Sequence, residues 1–238
     1  MNSKNIKLLL ISFICFNIRF IIAQDAESKV TGQSSNLAKK YTETDMYYTP
    51  KTKEALAYYN QGHDYFNDTK YKNSIPCYMK ALEIEPDFVD AMDNLGNSYG
   101  YLTLYDSAEY WYNKSIKLYS NNFVAHQNLA SVYVKTSRLD KTLNEYDLLT
   151  KLDTANAEGY FGKAKVNVKL NKGQEVVTNA QKARELYNKN HDPYEKDAVL
   201  MMGVGYYIQK NNESAKKYVK EAKDMGAEIP EGLKKLLQ

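Results

Sequence analysis

Cysteine is nearly absent. The 238 residues hold two, Cys15 and Cys77, together with a single tryptophan, Trp111. Cys15 falls in an N-terminal stretch read below as removable, which leaves Cys77 without an intrachain partner. A lone thiol on an apolar helix face is read as a small buried hydrophobe, and stability must come from apolar packing rather than cross-links. Histidine is as sparse: His63, His126 and His191 stand far apart. With no H-x-x-x-H pair and no cysteine at ligand spacing, no metal site is expected. There is no G-x-S-x-G, no phosphate-cradling glycine loop and no pair of carboxylates in a pocket-like context. No catalytic residue and no cofactor are therefore expected, and the chain is not read as an enzyme. Acidic residues such as Glu83, Glu85 and Asp87 sit at helix ends and are read as solvated surface.

An excess of one charge is missing too, once the start of the chain is set aside. MNSKNIKLLLISFICFNIRFIIAQD carries Lys4 and Lys7, an apolar run from Leu8 and Ile-Ile-Ala before Gln24. This reads as a secretory signal peptide, residues 1–23, cleaved after Ala23. The competing reading is an uncleaved anchor, but the run is short for a span, which needs about 20 apolar residues, and Arg19 interrupts it. Losing Lys4, Lys7 and Arg19 takes the 32 basic side chains to 29, equal to the 29 acidic ones. A neutral chain without basic clusters has no electrostatic footprint for nucleic acid. The expected location is outside the cytoplasm, in the periplasm, at the cell surface or secreted, with no stable membrane span after cleavage. Residues 24–50 are polar, rich in Ser, Thr and Lys, and read as a flexible tether. Its closing pair Tyr47–Tyr48 either folds back onto the first helix or simply leads into it; the second reading is preferred.

What the chain has in abundance is tyrosine, 22 residues, and a period. Shifting the sequence by 34 residues brings Gly62 onto Gly96, Tyr65 onto Tyr99 and Tyr133, Tyr71 onto Tyr105, Tyr78 onto Tyr112 and Tyr146, and Asn60 onto Asn94 and Asn128. Such a period marks a helical-pair repeat whose units cannot bury their apolar faces alone. Within residues 55–88, Tyr58, Gly62 and Tyr65 share one helical stripe. Asn67-Asp68-Thr69 makes a turn. Ile75, Tyr78, Ala81 and Leu82 mark a second helix, ended by Pro86. Pro76 is placed in or near the first turn of that helix, where a missing N–H costs little. Gly62 and Gly96 are read as points of close helix approach. The units continue over 89–122, 123–156, 157–190 and 196–229, after five inserted residues, His191 to Glu195. The fourth unit is eroded, with Lys163, Asn167 and Val176 at positions of other character. Residues 230–238, with Leu233, Leu236 and Leu237 on one face, read as a capping helix. The repeat domain thus spans 51–238. Trp111 lies beside the apolar stripe and is read as core filling.

The order Tyr58, Gly62, Tyr65, Ser74, Tyr78, Ala81, Pro86 resembles the tetratricopeptide repeat. The resemblance implies an all-α fold, a right-handed α-solenoid of about five helix pairs plus the capping helix, with a concave groove lined by the first helix of each pair. Carried over residue by residue, the groove positions are Asn60, His63, Asp93, Asn94, Asn97, Gln127, Asn128 and Ser131 in the first three units. In the last two they are Phe161, Lys165, Leu200, Val204 and Tyr207. An amide donates and accepts at once, and in some family members, the O-linked GlcNAc transferases, a ladder of asparagines holds an extended peptide. Asn60, Asn94 and Asn128 are either such a ladder or a habit of the repeat. The positions that let co-chaperones clamp a terminal carboxylate hold Tyr59, His63, Asn94, Val124 and Asn128 here; only Asn94 fits and no cation is available, so that function is not expected. The resemblance implies a non-catalytic scaffold whose groove binds a protein or extended peptide, in an envelope or surface assembly. The alternative is a spacer or assembly subunit that meets partners through its convex face. Material exported by the native host should lack residues 1–23. Its intact mass decides the point: a mass that still includes them overturns the reading.

Overall fold

The computed structural model describes residues 47–238; the leader, most of the tether and their expected roles lie outside the described residues. The described chain is all-α, with consecutive helices packed in pairs. It divides into two compact units, one ending at Leu152 and the other beginning at Asp153. The first holds α1 (Lys53–Asn67), α2 (Tyr71–Ile84), α3 (Val89–Tyr101), α4 (Tyr105–Leu118), α5 (Phe123–Lys135) and α6 (Leu139–Leu152). The second holds α7 (Ala157–Lys169), α8 (Gly173–Lys189), α9 (Glu195–Ile208), α10 (Asn212–Asp224) and the short α11 (Glu231–Lys234), which tightens into a 3-10 turn, Lys235–Leu237.

Each pair closes by the same turn. Thr69, Thr103, Ser137, Asn171 and Lys210 all have φ near +60°. The residue after each donates its N–H to a carbonyl five residues back, that of Tyr65, Tyr99, Tyr133, Asn167 and Tyr206 respectively. This six-to-one bond with a left-handed residue is the Schellman closure of a helix end. None of the five is glycine, although the left-handed region disfavours a Cβ by about 1–2 kcal/mol. The following helix starts at once, so the turn is fixed from both sides. Four of these positions keep the 34-residue step, and the step to Lys210 is longer by the five inserted residues. The insertion is absorbed by α8, which runs 17 residues where α2, α4 and α6 run 14, and by a turn through His191 at φ +53°.

In the first two pairs, close approach of the helices depends on Gly62 and Gly96. A Cβ built on Gly62 would stand 2.8 Å from the Tyr78 ring, and one on Gly96 would stand 2.6 Å from Cε1 of Tyr112. Both rings are buried, and around the first of them gather Ala55, Tyr59, Ala81, Phe88, Met92 and Leu95. In the second unit the core runs from Phe161 and Ala164 through Val176, Ala180, Ala183 and Tyr187 to Val199, Met202, Val219 and Leu233. There Gly173 and Gly205 bring α8 and α9 together: a Cβ on Gly173 would stand 2.7 Å from the Gly205 carbonyl oxygen, a contact the repeat pattern does not announce. Asn167 is tolerated in the interior because its amide donates to the Lys163 carbonyl of its own helix, 2.9 Å. Trp111 packs, half-buried, against the first core as expected.

Pro76 is a correction. It is the sixth residue of α2, so it removes an internal i→i−4 bond rather than one of the unpartnered N–H groups of the first turn. The carbonyl left over belongs to Lys72, on the exposed side, where water reaches it. The two glycine contacts give a stability prediction. Gly96→Leu must push Tyr112 out of its seat and should cost about 1–3 kcal/mol or more. Asp87→Ala, at an exposed position, should change stability by no more than about 0.5 kcal/mol. Urea midpoints by circular dichroism check it, and similar midpoints for the two variants refute the packing role of Gly96.

Candidate functional site: the amide-bearing faces of α1, α3 and α5

Three of the predicted groove residues meet. On α3, Asn94 donates to the Tyr59 hydroxyl of α1 (2.8 Å), and Asn97 donates to Oδ1 of Asn94 (3.3 Å). Oδ1 of Asn97 then accepts from Asn128 of α5 (2.9 Å) and from the Tyr112 hydroxyl (2.7 Å). The network Tyr59–Asn94–Asn97–Asn128, with Tyr112 beneath, is half-buried. It crosses three helices, and each amide is oriented by the next. Gln127 and Ser131 lie beside it, half-buried on α5. Asn60 is exposed and takes no part, so the row runs through Asn97 rather than through the three residues at 34-residue intervals.

Four of the other predicted positions, His63, Asp93, Phe161 and Val204, have turned inward. His63 is buried and stacked on Tyr59, and its Nδ1 accepts from Asn67 at 3.1 Å. Burial holds its pKa below the ordinary value, only partly offset by Asp64, and the acceptor role keeps that nitrogen unprotonated. Asp93 is 5% exposed, with Oδ2 accepting from Asn122 at 2.6 Å. Phe161 and Val204 of the second unit are core residues, packed with Met201 and Met202. Leu200 and Tyr207 are half-buried against the same core, and Lys235 lies 5.5 Å over the Tyr207 ring.

Asp93 belongs to a buried polar cluster that the repeat pattern gave no reason to expect. Asn122, the N-cap of α5, accepts the Ala125 N–H on its carbonyl side and uses its amide for both Asp93 and Ser115. One turn on, His126 is fixed between Glu145 of α6 (2.7 Å) and the Ser120 carbonyl (3.0 Å). Burial pushes the Asp93 carboxyl up to about 7, against the lowering effect of Ser115 and Asn122. Oδ1 of Asp93 is buried without a hydrogen-bond partner, which disfavours the charged form. For His126 burial works downward, but the bonds to Glu145 and Ser120 and the nearby carboxylates outweigh it, so the imidazole titrates above its ordinary value.

Both shifts have the same consequence for stability. An aspartate raised from 3.8 to about 7 holds a proton in the folded state that the unfolded chain gives up, so stability falls as pH rises across that window. A raised histidine contributes stability below its unfolded pKa of 6.5 and loses it as pH climbs through the folded value. His63, with its lowered pKa, acts in the opposite sense below pH 6.5, but the two raised groups outweigh it. Thermal unfolding followed by circular dichroism should therefore show a higher midpoint at pH 5 than at pH 8. Asp93→Asn should flatten about 2 kcal/mol of that slope and raise stability at pH 8. A parent profile that rises with pH over this range contradicts the assignment.

Comparison with known proteins adds the following. Residues 55–88 match the family model described as tetratricopeptide repeat. No curated protein sequence matches the chain. Among solved structures, a MamA protein superposes with a TM-score of 0.66 at 19% identity, over 74% of this chain and 98% of that one. MamA from Desulfovibrio magneticus RS-1 gives 0.67 at 16% identity, over 74% and 97%. YrrB, described as a TPR protein with an unusual peptide-binding site, gives 0.63 at 22% identity, over 72% and 86%. At these identities the likeness is one of fold: the chain has the tetratricopeptide fold, and in residues 55–88 it carries the repeat in sequence as well.

Proposed function

We propose that this protein is a non-catalytic scaffold that binds an extended segment of a protein partner along α1, α3 and α5. One observation carries the reading: the half-exposed amides of Asn94, Asn97 and Asn128 are joined edge to edge across two helices and held in place by tyrosine hydroxyls. An amide already oriented loses little side-chain freedom when a peptide group docks on it, so more of each new hydrogen bond appears as affinity. Asn97 spends both lone pairs internally, which leaves the N–H groups of the row and the Asn128 carbonyl as the groups to meet a backbone. The peptide-binding site of YrrB, a protein of the same fold, agrees with this reading. We place the scaffold in an envelope or surface assembly, on the strength of the leader-like start from Lys4 to Ala23.

The same hydrogen bonds favour a second reading, in which the amides only stitch successive helix pairs and contacts are made by an outer face. On that side α4 and its cap leave Leu104, Tyr110 and Leu118 exposed. The two readings part on one experiment, with a partner captured by the mature protein from its own cell envelope. Replacing Asn94 and Asn128 by Ala together should weaken that partner at least tenfold, since each unsatisfied buried peptide group costs about 1–3 kcal/mol. The circular dichroism spectrum should stay that of the parent, and changing Leu200 and Tyr207 should have the smaller effect. Unchanged affinity in the asparagine double variant refutes the amide site, and loss of binding on changing Leu104 and Leu118 instead would assign the contact to α4.

A further inference from the structure

The pair Tyr47–Tyr48 does not merely lead into α1. Residues 47–52 form a strap fastened to two buried carboxylates where the first helix pair meets the second. Glu85, at the end of α2, accepts the N–H of Lys51 (3.0 Å), the N–H of Thr52 (2.7 Å) and the Thr52 hydroxyl (2.8 Å). The Tyr48 phenol lies beside the same carboxylate and helps to hold its charge. Asp90, in the first turn of α3, accepts the N–H groups of Tyr47 (3.1 Å) and Tyr48 (2.9 Å), one on each oxygen. The Tyr48 ring lies on Phe88, and the Tyr47 ring on Tyr119, with the Tyr47 phenol near the Val124 N–H at the start of α5.

The two fastenings differ in kind. Glu85 accepts three hydrogen bonds, one of them from the hydroxyl of Thr52, which also caps α1 by accepting from Ala55. Asp90 has two donors and shares one turn of α3 with a second buried acid, Asp93. The titratable groups that face this acid pair are Tyr47 and Tyr48 on the strap, Tyr112 on α4 and Tyr119 at its end, and His126 on α5, itself bonded to Glu145 of α6. None is a lysine or arginine, so no fixed cation holds Asp90 in its charged form. We propose that the strap is a latch with Glu85 as its permanent point and Asp90 as its releasable one, turning about Thr49–Pro50.

Linkage supports this. The two backbone donors favour ionised Asp90, so a proton on Asp90 must disfavour them to the same extent. A protonated carboxyl also turns one acceptor oxygen into a donor, which cannot meet an N–H. Burial outweighs the donors and sets the Asp90 carboxyl above its ordinary value. At Glu85 burial also pushes upward, but the bonds from Lys51 and Thr52, with the Tyr48 phenol beside them, win and its carboxyl lies below the ordinary value. Acid therefore undoes the Asp90 end first. What it uncovers is specific: Asp90 stands one helical turn before Asn94, and Val124 one turn before Asn128. Release extends the amide-bearing faces of α3 and α5 by a turn each. The latch stands whether or not those faces bind a peptide.

Hydrogen exchange on the full chain, resolved by residue and corrected for intrinsic rates, tests it without any ligand. From pH 8 to pH 4 the protection of the Tyr47 and Tyr48 amides should fall at least tenfold, while that of Thr52 holds. Asp90→Asn should abolish protection at Tyr47 or Tyr48 at every pH and leave Thr52 protected. Glu85→Gln should expose Lys51 or Thr52 even at pH 8. Flat protection at Tyr47 and Tyr48 across the range overturns the proposal, as does a loss that runs in step with Thr52 and the helix amides.

Discussion

A tyrosine ring lying where a side chain would otherwise be is the contact on which the first unit depends. Neither helix of a pair has enough apolar surface to stand alone, and the two reach packing distance only because Gly62 and Gly96 leave room for Tyr78 and Tyr112. The same Tyr112 carries its hydroxyl through to Asn97. One side chain thus closes a helix pair with its ring and orients the amide row with its oxygen. Packing and the candidate site are not separable there, and a substitution that unseats the ring also frees the amide.

Much of this was legible from residues alone, for a physical reason. Helix pairing repeats, so its requirements repeat: a missing Cβ at Gly62 and Gly96, a large ring at Tyr78 and Tyr112, small residues at Ala81 and Ser115. Periodicity exposes such positions without any knowledge of contacts. The turn register was less visible, because the left-handed residue is Thr, Thr, Ser, Asn and Lys in turn; the backbone repeats while the side chain does not.

What escaped the sequence is what breaks the repeat. Glu85 looked like a solvated acid at a helix end and nothing singled out Asp90, yet their partners include backbone N–H groups of a segment more than thirty residues earlier, and backbone donors leave no signature in composition. Asp93 occupies a groove position by register but is drawn inward by Asn122, whose place is set by a helix cap rather than by the groove. Asn60 matches Asn94 and Asn128 in register and still lies outside their network, because among the described residues it has no preceding helix pair to bond back to, as Asn94 bonds to Tyr59 and Asn128 to Asn97.

The strap has a consequence for how the first unit comes apart. In a stack of repeats each pair touches only its neighbours, and opening starts at an end, where one interface is missing. Residues 47–52 precede the first pair, yet they hold the junction of the first and second at Glu85 and Asp90 and touch the start of the third at Val124. That adds a second-neighbour coupling to a nearest-neighbour chain. The end that should fray is thereby tied to the middle, so the first three pairs melt as a single block and not one by one.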